Sequence, residues 1–147
     1  MAKFNPKQAQ VYVQTLQQVL TATQEAADRV APFFTKLDDA KQENKVTDIP
    51  AAEFAEIKAE FEDAVTSYQE NAARLNAAQA PIRILGVHKS LAKNYELYAQ
   101  ATALMSDSLN VADQTIDDVK YEQSEADQAQ YLNKVQTNVS KIMTSQM

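Results

Sequence analysis

Few side chains in this sequence could do chemistry. One histidine, His88, stands in 147 residues that contain no cysteine. An imidazole is the common general base at neutral pH and one arm of a nucleophilic triad. Here it falls in an apolar stripe, between Ile84 and Leu91, so no His-Asp-Ser arrangement is favoured above chance. A di-iron carboxylate site needs two Glu-x-x-His motifs on facing helices. This chain has one histidine, and Leu85 stands where its glutamate would be. Zinc needs several His or Cys ligands. A calcium loop needs a glycine at its sharp turn, and Gly86 is the only glycine. The carboxylate pairs Asp38-Asp39 and Asp117-Asp118 are adjacent in sequence; on a helix such neighbours diverge by about 100°. Tyr95 and Tyr98 could stack on a flat ligand, although aromatics in a stripe are usually core. The expectation is a chain with no catalytic residues, no metal and no cofactor.

The elements that would position these residues are long helices. Apolar residues recur in alternating steps of three and four along Val13, Leu16, Leu20, Thr23, Ala27, Val30, Phe34 and Leu37. The same rhythm runs from Phe54 through Ile57, Phe61, Ala64, Tyr68, Asn71 and Leu75 to Ala78. A third run goes from Ile84 through His88, Leu91, Tyr95, Tyr98, Thr102, Met105, Leu109, Ala112 and Ile116 to Val119. Each run draws one stripe down one side of a helix. The spacing predicts an all-α fold, a single-domain antiparallel up-down bundle over residues 1–147. It would have three long helices, a shorter C-terminal fourth and coiled-coil-like packing. Scarce glycine also argues against hairpins and phosphate-cradling loops.

Asn5 reads as the N-cap of the first helix, with Pro6 at its first position and Gln8 three residues past the cap. This helix runs to about Glu43, with a kink or break at Pro32. The second helix spans about 50–79, with Asp48 as its cap, and the third begins near Ile82 after Pro81. One helix from there to the end would be about 95 Å long, so the chain must turn back. The turn is placed at Glu122-Gln123-Ser124, because the third stripe runs unbroken past the alternative, Ser106 to Asn110. The rhythm also slips between Val119 and Leu132, and resumes at Leu132, Val135, Val139 and Ile142.

Three stripe positions are polar: Thr23, Asn71 and His88. Antiparallel pairing about turns near residues 47 and 80 sets them level, as one buried layer. Such a layer fixes register at some cost in stability. The alternative is a polar spot lining a ligand cavity.

Twenty acids against fourteen Lys and Arg give a net charge of −6. The segment Asp107–Asp127 carries seven acids and Lys120 alone, so the rest of the chain balances. Clustered basic residues are what nucleic acid needs, so no nucleic-acid partner is expected. Asp113, Asp117, Asp118, Glu122 and Glu125 form either a solvated helix face or an acidic docking face for a basic protein partner. Self-association through the stripes is the other route to a partner. A membrane partner is disfavoured, since no segment is of spanning length and the polar faces are poor in Lys and Arg. No export signal is read at the N-terminus, which predicts a cytoplasmic protein, or an extracytoplasmic one if a signal was removed.

The segment Ala80-Pro81-Ile82-Arg83-Ile84-Leu85-Gly86-Val87-His88-Lys89-Ser90-Leu91, followed by Tyr95 and Tyr98, resembles small helical-bundle domains of uncharacterised Gram-positive surface proteins and lipoproteins. These show a proline opening a helix, a histidine two turns on, then a leucine and aromatic stripe. The resemblance covers about a quarter of the chain. It implies a bacterial, non-enzymatic bundle outside the cytoplasm, with no catalytic residues to carry over. The chain departs from that pattern in having no lipidated cysteine.

Overall fold

The computed structural model of the protein describes residues 5–145 and 147. Four helices follow one another: α1 (Pro6–Gln42), α2 (Ala51–Ala77), α3 (Leu85–Asp107) and α4 (Asp118–Met143). Sequential helices pack side by side, α1 on α2, α2 on α3 and α3 on α4. Between α3 and α4 lies a two-stranded antiparallel ladder, β1 (Leu109–Asn110) with β2 (Thr115–Ile116). Among the described residues no helix is long and apolar enough to cross a membrane.

The start of α1 follows from its sequence. Asn5 Oδ1 accepts the backbone N–H groups of Lys7 and Gln8, both at 3.1 Å, and Pro6 occupies the first turn, where no N–H is needed. The helix continues through Pro32 without a break. Asn44 (φ 56°) turns the chain out of α1, a left-handed conformation that asparagine tolerates where glycine is scarce. Asp48 does not cap α2. It lies in a short 3-10 turn, and Pro50 takes the cap position with its carbonyl accepting from Glu53 and Phe54. A second 3-10 turn, Ile82–Ile84, follows Pro81 and delays the start of α3 to Leu85.

The reversal between the last two helices is not at Glu122–Ser124. It occurs between Asp107 and Asp118, where Ser108 Oγ donates to the Met105 carbonyl and Asp117 N–H donates to the Ser108 carbonyl. Leu109 and Ile116, seven residues apart, read as two turns of one helical stripe. In the fold they face each other across the ladder. Asp117 Oδ1 then accepts the Lys120 N–H and starts α4. Ser124 is fully buried and donates to the Ala101 carbonyl at 2.5 Å, so it holds α4 to α3 and caps nothing. The stripe therefore stops at Leu109, and Val119 is 78% exposed. With its start at Asp118, α4 has 26 residues against 23 in α3, so the fourth helix is full-length.

The core divides in two along the bundle. One cluster centres on Leu16, Tyr68, Leu75, Leu91, Tyr95, Val135 and Ile142. The other, towards the ladder, holds Leu37, Phe54, Ile57, Phe61, Met105, Leu109 and Tyr121. Val30 packs against both. Burial is uneven: α1 buries four of its 37 residues, α3 ten of its 23.

Candidate functional site

Thr23 and Asn71 meet, as their register predicts, but the third member of their group is Tyr95. Asn71 Nδ2 donates to Tyr95 Oη at 3.0 Å and approaches Thr23 Oγ1 at 3.5 Å. Thr23 Oγ1 gives its one hydrogen to the Val19 carbonyl at 2.7 Å. The 2.6 Å contact between Thr23 and Tyr95 is therefore donated by the tyrosine. The result is a relay in one direction, amide to phenol to hydroxyl to backbone, that leaves no buried hydrogen unused.

His88 takes no part in it. Its Nδ1 lies 2.8 Å from Tyr12 Oη, and the rings meet edge-on with centroids 5.2 Å apart. Burial pushes the imidazole below its usual range, opposed by a hydrogen bond with the Leu75 carbonyl. Burial likewise pushes the Tyr12 phenol up to about 12. The imidazole is thus neutral. A carbonyl only accepts, so the ring N–H faces Leu75, and Nδ1 accepts from the Tyr12 hydroxyl. His88 is separated from Asn71 because the 3-10 turn lengthens the α2–α3 connection. Moving the mirror point of an antiparallel pair by about three and a half residues moves the partner by about seven, from His88 to Tyr95.

The five carboxylates of the acidic segment divide between the hairpin and the first turns of α4. Asp113 sits in the hairpin turn, bonded to Asn110 through side chain and backbone. Asp117 caps α4, and Asp118 pairs with Lys41 at 3.7 Å. Glu122 is exposed on the first turns of α4. Glu125 sits one turn further on, at the edge of a cleft.

That cleft opens between α1 and α4, where the two halves of the core meet. Its volume is about 280 Å³. Ala27, Val30, Ala31 and Phe34 of α1 form one wall, and Glu125 and Gln128 of α4 form the other. The floor is Phe61 and Tyr68 of α2 with Tyr98 and Thr102 of α3. Tyr68 and Tyr98 pack with centroids 4.9 Å apart, and the Tyr98 hydroxyl donates to that of Tyr68 at 3.4 Å. Burial raises both phenols above their ordinary range. Phe34 stacks on Tyr121 at 6.2 Å, and the Tyr121 hydroxyl donates to Asp38 Oδ1 at 2.7 Å. Burial raises the Glu125 carboxyl, and the nearby Asp38 and Glu122 raise it further against the pull of Lys41.

Sequence reasoning does not find this cleft, although its signal is present. Between Val119 and Leu132 the apolar rhythm fails, and that is where α4 turns Glu125 and Gln128 towards α1. Among the described residues, every buried side-chain nitrogen and oxygen has a hydrogen-bond partner. Fold and site together define an all-α, up-down four-helix bundle with a lateral cleft over a tyrosine floor. Comparison of the chain with models of protein families, with curated proteins and with solved structures finds no match in any of the three.

Proposed function

We propose that this chain is a non-enzymatic binding protein that takes a small ligand in the α1–α4 cleft. The observation that carries this reading is the cleft itself. It interrupts the core at its midpoint, it is largely apolar, and two polar side chains converge on one edge. That combination is the usual make-up of a ligand site, and its volume lies near the lower end of the customary range. The non-enzymatic part rests on His88. The sole imidazole is buried, bonded to Tyr12, and lies outside the cleft.

A titration of the ¹⁵N-labelled chain with fragments of cationic, neutral and anionic charge, followed by two-dimensional NMR, tests the reading. Saturable shifts should concentrate at residues 27–34 and 125–128 and disappear in Ala27→Phe, which puts a ring into the space. If no fragment of any charge moves those residues, the reading fails.

A second reading is favoured by the exposed Asp107, Asp113 and Glu122 around the hairpin end. There the partner is a basic protein segment. A lysine-rich peptide should then bind in a salt-sensitive way, and Asp113→Asn with Glu122→Gln should abolish it. Binding indifferent to salt and to both substitutions would remove this reading.

A further inference from the structure

Resting on the reading of the cleft as a ligand site, we propose that its ligand is a small primary ammonium ion with an apolar body. The N–H groups would meet Glu125 and Gln128, and the body would lie on the tyrosine floor.

The argument is a count of donors and acceptors along the cleft. Gln128 commits Nε2 to Ser124 Oγ at 2.9 Å, and Ser124 in turn donates to the Ala101 carbonyl. That bond uses one of the two Nε2 hydrogens, so Gln128 keeps its carbonyl oxygen, Oε1, and one N–H. Glu125 offers a carboxylate. Thr102 has spent its hydrogen on the Tyr98 carbonyl at 3.0 Å, and Tyr98 has spent its own on Tyr68. Among the described residues this leaves two side-chain donors lining the cleft, the Tyr68 hydroxyl and one Gln128 N–H, against the two Glu125 oxygens, Gln128 Oε1 and Thr102 Oγ1 as acceptors. A site whose acceptors outnumber its donors, and whose one charged group is a carboxylate, suits a ligand that brings donors, and an ammonium group brings three.

Charge points the same way. Glu122 and Asp38 lie close enough to Glu125 to disfavour its charge. The one cation acting on it, Lys41, is occupied: it pairs with Asp118 and sits 4.8 Å over the Tyr121 ring. A bound cation would relieve the carboxylate, whereas a bound anion would meet three acids. The aromatic floor adds attraction for positive charge at its ring faces. The volume of about 280 Å³ limits the body to a phenyl ring or a short chain.

The test compares three probes of one shape on the full chain: 2-phenylethylammonium, 2-phenylethanol and 3-phenylpropionate, each to about 10 mM at pH 7 by the same NMR titration. The ammonium should shift residues 27–34 and 125–128 saturably, with the alcohol weaker by roughly tenfold and the carboxylate silent. Glu125→Gln keeps the size of an exposed side chain and removes a charge that Asp38 and Glu122 disfavour, so its melting temperature should not fall while ammonium affinity drops by roughly tenfold. If the alcohol or the carboxylate binds the cleft as tightly as the ammonium, or Glu125→Gln leaves affinity intact, the ammonium assignment is overturned and the ligand-site reading stands. If none of the three moves the cleft residues, both fall.

Discussion

The pair Tyr12–His88 shows how a titratable group becomes part of the core. Its phenol and imidazole satisfy each other at 2.8 Å between helices that do not follow one another in the chain. His88→Leu keeps an apolar filling but strands the Tyr12 hydroxyl, and a buried hydroxyl without a partner costs about 1–3 kcal/mol. Chemical denaturation should therefore show His88→Leu destabilised by that amount, and Tyr12→Phe combined with it should recover part of the loss. A double variant no more stable than the single would mean that the hydroxyl was never the source of the cost. The same imidazole sets a pH dependence. Its folded value lies below the ordinary imidazole value because burial penalises the cation. Below pH of about 6.5 the unfolded chain binds a proton that the folded chain refuses, so stability falls as pH drops from there towards the folded value. The Glu125 carboxyl is raised in the fold and acts with the opposite sign. The contribution of His88 is thus the difference between the chain and His88→Leu, measured as melting temperature from pH 7.5 to 5.5. The gap should narrow on acidification; a constant gap would deny that the imidazole is held neutral. That His88 is buried was legible from its place in a stripe. Its partner was not, because Tyr12 lies one residue from Val13 at the flank of the first stripe, about 100° round the helix, and which flank faces α3 depends on how the helices pack.

Among the elements, the helices were legible and their joints were not. Stripes in steps of three and four specify helical faces locally, and Asn5 and Pro6 mark a start with side chains that act within one turn. The joints depend on contacts between segments far apart in sequence. Gln114 is the clearest case. It holds the hairpin in a left-handed conformation, φ 52°, which costs a side chain roughly 1–2 kcal/mol. Its Nε2 reaches across to the carbonyls of Val46 and Ile49, at 2.9 and 2.6 Å, and so ties the α3–α4 hairpin to the α1–α2 connection. Nothing near Gln114 in sequence announces that bond. Gln114→Ala keeps the strained backbone and loses both bonds, so it should destabilise the chain by about 1–3 kcal/mol. Gln114→Gly loses the bonds but is at ease at positive φ, so it should be the milder of the two by about 1 kcal/mol. Urea unfolding of the two variants checks the order. If alanine proves equal to glycine, the backbone there is not left-handed in solution.

At the scale of the whole molecule the asymmetry of α1 matters most. It is the longest helix, yet it buries only Tyr12, Leu16, Val19 and Leu37, three in its first half and one close to the far end. Its middle, from Leu20 to Phe34, is at most half-buried and forms the wall of the cleft. Surface ties hold that stretch to α2: Arg29 with Glu60 at 2.9 Å, and, just beyond it, Lys36 with Glu53. Exposed pairs of this kind contribute little. In contrast, α3 buries ten residues against the neighbours on either side. Local stability follows buried apolar contact, so the middle of α1 should open well below the free energy of global unfolding while α3 opens only with the whole. Hydrogen exchange followed by mass spectrometry should show amides 20–34 exchanging faster than amides 91–105. It should also show that difference shrinking when the cleft is filled, either by a saturating ammonium probe or by the Ala27→Phe ring. Occupancy ties the loose wall to the firm floor, and a ligand that binds only the closed arrangement stabilises it in proportion to its concentration over its dissociation constant. Equal protection along α1 and α3 would mean that the two core halves and α1 form one cooperative block. The cleft would then be a fixed groove, and ligand should leave the exchange of α1 relative to α3 unchanged.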